Sequence, residues 1–131
     1  MDKNLQIALY GLLTAGSPGF DVYDDVPAPA YLGSPINMFP YVTIGEVTIV
    51  PFDTFNDTGL DCLVTIHIWS RYDGYSETKT IQQQIYNILH RATFDVTGYT
   101  VVGSTFQDSE VFLDTDGETR HGVMFFRIIL D

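Results

Sequence analysis

The chain has 131 residues, 45% hydrophobic and 14% aromatic, enough for one hydrophobic core and too apolar for a disordered chain. Six basic residues stand against 17 acidic ones, a formal charge of −11, so most of the surface repels phosphate and direct duplex binding is disfavoured. One cysteine, Cys62, excludes an internal disulfide and a multi-cysteine metal site within one chain.

No apolar run approaches the roughly 20 residues that cross a bilayer, and the N-terminus has neither the basic start nor the apolar stretch of a signal peptide. The expectation is one domain over residues 1–131, made in a cytoplasm and without a membrane partner. Leu5, Ala8, Leu9, Leu12 and Leu13 recur at helical spacing and predict a first helix with one buried stripe. Asp2 can cap its start, and Gly16 followed by Pro18 is a stop signal. From about residue 17 to 40, prolines at 18, 27, 29, 35 and 40 remove backbone donors and predict a long extended loop or arm, with one short extended piece at Phe20-Asp21-Val22-Tyr23. Loops of this length either bind something or pack on their own subunit.

Tyr41 to Val50 has the β-branched composition of a strand, with Gly45 as a bulge or bend and Pro51 as its end. Turn residues from Phe52 to Gly59 predict a hairpin tip. From Leu60 to Arg71 the alternation is strong. Leu60, Cys62, Val64, Ile66 and Ile68 form a core face, and Asp61, Leu63, Thr65, His67, Trp69 and Arg71 form a mixed one. After a turn at Tyr72-Asp73-Gly74-Tyr75, Ser76 is a suitable N-cap for a second helix, with Glu77 in its first turn and Ile81, Ile85, Ile88 and Leu89 as its stripe. His90 and Arg91 sit near its end, where positive charge is favoured. Strand character returns at Thr100-Val101-Val102 and again at Val111-Phe112-Leu113, before a turn at Asp114-Thr115-Asp116-Gly117. In the last strand, Thr119 to Leu130, apolar residues on both faces predict a central strand buried on both sides. The order α, β, β, α, β, β is that of an α+β domain, two helices laid on an antiparallel or mixed sheet.

No residue pattern in the chain calls for an enzyme. His67, His90 and His121 lack the short spacings that put two ligands on one metal. They read instead as a half-exposed strand residue, a helix-end cation and a strand residue after a turn. Asp114 to Gly117 resembles the start of a calcium loop but lacks the bidentate Glu at its end, and Asp-Gly is a strong hairpin signal. Ala15-Gly16-Ser17-Pro18-Gly19 departs from the Gly-x-Ser-x-Gly elbow and follows a helix. Cys62 lies on the core face with no adjacent base, as an inert thiol does. Asp24 and Asp25 point apart in an extended chain, and there is no glycine-rich loop with a following lysine to hold a phosphate. No catalytic residue, cofactor or metal is expected.

Three pieces in this order and spacing carry a resemblance over nearly the whole chain. They are Pro40-Tyr41-Val42-Thr43-Ile44-Gly45, the strand ending Ile66-His67-Ile68-Trp69-Ser70-Arg71 with a helix from Ser76, and Thr119-Arg120-His121-Gly122-Val123. Together they resemble the tail-completion or tail-terminator proteins of long-tailed bacteriophages and the related gene transfer agents. The resemblance implies a small α+β subunit that closes into a ring, usually a hexamer, on the head-proximal end of the tail tube in the virion. The ring ends tube growth and joins the tail to the head connector. The implied partners are other copies of the chain, the major tail tube protein and the connector or head-closure protein, and DNA passes through the lumen without specific binding.

Within that expectation, Pro40, Tyr41, His67, Trp69 and Arg71 are candidates for the subunit interface, because an uncovered Trp on a strand's non-core face costs solvation. Asp53, Asp57, Asp108, Glu110, Asp114 and Asp116 are candidates for an acidic lumen, on the expectation that they cluster at hairpin tips. Two other readings stay open: a head-closure or neck protein of the same particle, and a small cytoplasmic α+β ligand-binding domain.

Overall fold

The period-two alternation of residues 60–71 becomes the middle of a five-stranded sheet. The computed structural model describes residues 2–16, 20–23, 40–51, 59–71, 74–115 and 117–131. Most of the proline-rich arm and the tip at residues 52–58 lie outside the described residues. Helix α1 spans Asp2–Gly16, followed by strands β1 (Asp21–Tyr23), β2 (Tyr41–Pro51) and β3 (Leu60–Ser70), helix α2 (Ser76–Leu89), and strands β4 (Val101–Leu113) and β5 (Arg120–Leu130). The sheet order is β1-β2-β3-β5-β4, with β1 parallel to β2 and every other pair antiparallel. This is the expected α+β class with a mixed sheet.

Both helices lie on one face of the sheet. Leu5, Leu9 and Leu13 of α1 and Ile81, Ile85 and Leu89 of α2 pack in one buried cluster with Val42 and Ile44 of β2, Cys62, Val64, Ile66 and Ile68 of β3, and Met124, Phe126 and Ile128 of β5. Gly122 lets α2 approach β5. A Cβ there would stand 2.8 Å from Thr78 Cγ2 and 3.2 Å from Gln82 Nε2. Helix α2 is further tied down at its start, where Ser70 Oγ donates to Glu77 Oε1 at 2.6 Å.

The structure refines the sequence expectations in some places and departs from them in others. The short extended piece before Asp24 is a true strand, β1, paired to β2 through Asp21, Val22 and Tyr23. The segments Thr100–Val102 and Val111–Leu113 are the ends of one strand, β4, 13 residues long. An edge strand keeps its ladder on one side whatever its side chains are, so the polar run between the two segments did not break it. Ser76 is inside α2 and not its cap. Tyr75 holds the N-cap position with no side-chain cap bond, and the Ser76 carbonyl accepts from Thr80 Oγ1. As expected, His90 and Arg91 sit at the helix end, with Leu89 the last helical residue and His90 its C-cap. Finally, β5 is central, with both helices on one face, and its other face is unevenly buried: Val123 is buried, Phe125 and Ile129 are half-buried and Arg127 is exposed.

Candidate assembly face

The side of the sheet away from the helices carries the unusual chemistry. Strand alternation turns Asp61, Leu63, Thr65, His67 and Trp69 of β3 to this side, because their neighbours Cys62, Val64, Ile66 and Ile68 fill the core. Strand register then sets Tyr41, Trp69, His121 and Phe112 in one row across β2, β3, β5 and β4. The rings touch along that row. Trp69 stacks on His121 with centroids 3.9 Å apart and planes 14° off parallel, Tyr41 lies 6.1 Å from Trp69, and Phe112 lies 4.8 Å from His121. The Trp69 Nε1 N–H is buried with no hydrogen-bond partner among the described residues.

A polar chain crosses beside the row. His67 Nδ1 is 2.8 Å from His121 Nε2, and His67 Nε2 is 3.2 Å from Glu46 Oε2. With the Glu46 carboxylate accepting from His67 Nε2–H, a neutral His67 presents a lone pair at Nδ1 and accepts from His121 Nε2–H. Only one proton fits between the two rings. Burial, and next the neighbouring His67, push the His121 imidazole down from 6.5 to about 4, against a weaker pull from Asp114 and Glu46. Glu46 is held below the usual carboxylate value by a hydrogen bond from its own backbone N–H and by His67. Farther along the face, Arg127 Nε and Nη2 donate to Asp61 Oδ1 and Oδ2 at 2.9 and 2.7 Å, which lowers the Asp61 carboxyl and raises Arg127. This arrangement is one of packing and charge neutralisation. Among the described residues no group of three or more His, Cys, Asp or Glu could hold a metal ion.

The structure brings Tyr41, His67 and Trp69 together on this face, with Pro40 half-buried just ahead of β2. Arg71 donates from Nε to Thr119 Oγ1 at 3.3 Å and braces the end of β3 against the start of β5. Asp114 is in the β4–β5 turn, where its Oδ1 accepts from Thr115 N–H at 2.8 Å. Asp108 and Glu110 are not at a hairpin tip. Both sit in the middle of β4, exposed, because the edge strand tolerates a polar run. Asp53, Asp57 and Asp116 lie outside the described residues. His90 caps the end of α2, its backbone N–H donating to the Tyr86 carbonyl, and its ring Nδ1 accepts from Phe106 N–H at 3.1 Å. The contact of His67 with His121, 54 positions apart, escaped the sequence reading. Setting the two alternating strands antiparallel with Leu60 opposite Leu130 would have brought them within one row.

The chain matches the family described as tail completion protein gp17 over residues 8–131. It belongs to that family. The tail completion protein gp17 of Bacillus phage SPP1 is 28% identical over 93 residues, 71% of this chain and 69% of that protein. A chain in the solved virion of a native gene transfer agent particle is 21% identical and superimposes with a TM-score of 0.84, covering 96% of this chain and 93% of its own length. The two share a fold. As a tail completion protein, this chain is a structural component of a virion and is located in its tail.

Proposed function

We propose that the chain does no chemistry and acts as one copy of a ring, a hexamer, that caps the head-proximal end of the tail tube, ends tube growth and joins the tail to the head connector. The observation that carries this reading is the match of residues 8–131 to the tail completion family. The geometry supports the oligomer. A row of aromatic rings spans the sheet face away from the two described helices, with Phe112 and Leu63 still 40% and 39% exposed and a Trp69 N–H that lacks a partner among the described residues. Pro40, Tyr41, His67, Trp69 and Arg71 belong to this candidate interface. Asp108, Glu110 and Asp114, with Asp53, Asp57 and Asp116, are the candidates for a lumen that repels DNA as it passes, an effect confined to about 8 Å at cellular salt.

The test is the mass of the purified protein over a range of concentrations, followed by negative-stain imaging with isolated tail tubes. Rings with a central hole, or caps on tube ends, are expected. A protein that stays monomeric and ignores tubes at every concentration would end the proposal. Trp69→Ala should leave the monomer folded and weaken assembly by about 2 kcal/mol or more, the loss typical of an interfacial Trp. A Trp69→Ala chain that fails to fold would show instead that Trp69 holds the monomer together.

A further inference from the structure

Two groups of exposed apolar side chains lie at opposite ends of the sheet order. Helix α1 packs over β1 and β2, the first two strands of that order, and β4 is the last. On α1, Lys3, Ile7, Tyr10, Gly11 and Thr14 recur at i, i+4, i+7, i+8 and i+11, which sets them in one stripe opposite the buried Leu5, Leu9 and Leu13. All five are exposed, Ile7 by 60% and Tyr10 by 43%. At the far end of β4, Phe112 and Leu113 are exposed, and so is Tyr75, whose ring lies under the guanidinium of Arg120, the register partner of Leu113. Phe112 is also the outer end of the aromatic row, so this patch continues the candidate assembly face.

Gly11 has no evident use within one copy. A Cβ there would meet nothing within 4 Å beyond its own turn of helix, and glycine inside a helix is less stable than alanine because it loses more backbone freedom on folding. A gap in the middle of an apolar stripe, where alanine would also fit, leaves room for a neighbour's side chain between Ile7 and Thr14.

The β4 side offers side chains and not a free edge. Along Val101–Phe106 the end of α2 holds the strand's outer groups: Arg91 N–H donates to the Ser104 carbonyl at 2.6 Å and Phe106 N–H to His90 Nδ1 at 3.1 Å. Farther along, Gln82 Nε2 donates to the Glu110 carbonyl at 3.1 Å. Between these parts β4 is bulged. Ile44, Ile66, Met124 and Ser109 form one row across the sheet, and Val47, Val64, Phe126 and Phe106 form another. Between the two rows the central strands place one residue each, Thr65 and Phe125, whereas β4 places Gln107 and Asp108 and β2 places Gly45 and Glu46. A bulge bends its strand, so Asp108–Leu113 leaves the line of Val101–Phe106.

Charge selects the partner. Around Phe112 and Leu113 the sequence has Asp108, Glu110, Asp114, Asp116 and Glu118 and no lysine or arginine, whereas residues 3–16 have Lys3 and no acid. In a chain of net charge −11, this acidic end of β4 needs a surface that does not set carboxylate against carboxylate. The α1 stripe is such a surface, and it is apolar. Its one lysine leaves the long-range repulsion between copies in place and removes the local one.

We infer that the stripe of Ile7, Tyr10 and Gly11 on α1 of one copy receives Phe112 and Leu113 at the end of β4 of the next. The contact joins two different surfaces head to tail, the kind that closes into rings. It rests on the ring reading above and names two surfaces that the ring brings together.

The full-length protein carrying Ile7→Cys and Leu113→Cys tests this, since Cys62 is fully buried. A flexible bismaleimide should give a ladder of covalent oligomers on a denaturing gel, and either cysteine alone should give none. Ile7→Glu should weaken self-association by roughly tenfold or more and leave thermal unfolding of the monomer unchanged. Gly11→Ala should raise the thermal midpoint by about 2–4 °C and still weaken self-association, two effects that a glycine with a purely structural role would not separate. Dimers from either cysteine alone would mean a symmetric contact and overturn the proposal. A parent that forms rings while the double-cysteine chain gives no ladder and Ile7→Glu assembles normally would overturn the α1 contact and leave the ring standing. Rings of Ile7→Glu that form normally and no longer cap tail tubes would put the tube protein on α1 in place of a second copy. A parent that never associates, alone or on tail tubes, would overturn both readings.

Discussion

Gly45 owes its place to the imidazole above it and not to its backbone angles. A Cβ at this position would stand 2.6 Å from His67 Cδ2, 2.7 Å from Nε2 and 3.2 Å from the Thr65 carbonyl oxygen. Gly45→Ala must push the His67 ring off Glu46 and His121, at a cost of about 1–3 kcal/mol for an overpacked contact. Urea denaturation measures it, and an unchanged midpoint would show that the ring moves aside freely. The His121 imidazole gives a pH dependence whose sign is fixed. Its folded value is about 4 against 6.5 in a free chain, so between those values the unfolded chain takes up a proton that the folded one refuses. The contribution is complete above 6.5 and is lost as the pH falls towards 4, at no more than about 1.4 kcal/mol per pH unit. His121→Phe, which keeps a ring in the row, should flatten stability over that window. If parent and variant lose stability in parallel on acidification, the cause lies elsewhere.

Among the elements, α2 ends on an uncommon residue. Arg91 has φ 58° and its N–H donates to the Ser104 carbonyl at 2.6 Å, while Ser104 Oγ donates back to the Leu89 carbonyl at 2.8 Å. A left-handed residue past a helix end is usually glycine, and a side chain there costs roughly 1 kcal/mol. Arg91→Gly should therefore leave stability unchanged or raise it by up to about 1 kcal/mol, read as a shift in thermal midpoint. A clear loss would mean that the Arg91 side chain makes a contact worth more than the strain. Helix α1, the two faces of β3 and the stripe of α2 could be read from the sequence because each depends on a repeat within one element. Strand β4 could not be read as one piece. Its polar middle carries no alternation, and what holds it is the ladder to β5, a partner that sequence spacing does not reveal. The same holds for the assembly face. Trp69 and His67 were visible on their own strand, but their neighbours Tyr41, His121, Phe112 and Glu46 arrive from three other strands, and only the register says which rows they share.

On the scale of the whole molecule, charge acts against association. Copies bearing −11 each repel at long range, and raising salt from about 10 to 150 mM shortens the screening length from about 30 to 8 Å. Ring assembly, followed by light scattering, should accordingly quicken by roughly tenfold over that range. Slowing by salt would mean that opposite charges meet across the contact. The paired bulges have a further effect on the molecule's outline. Since Gly45-Glu46 and Gln107-Asp108 each add one residue to an outer strand at the same height, Glu46 and Asp108 stand level on opposite sides of the sheet. The molecule thus presents a carboxylate at one fixed height to any neighbour that approaches along either side.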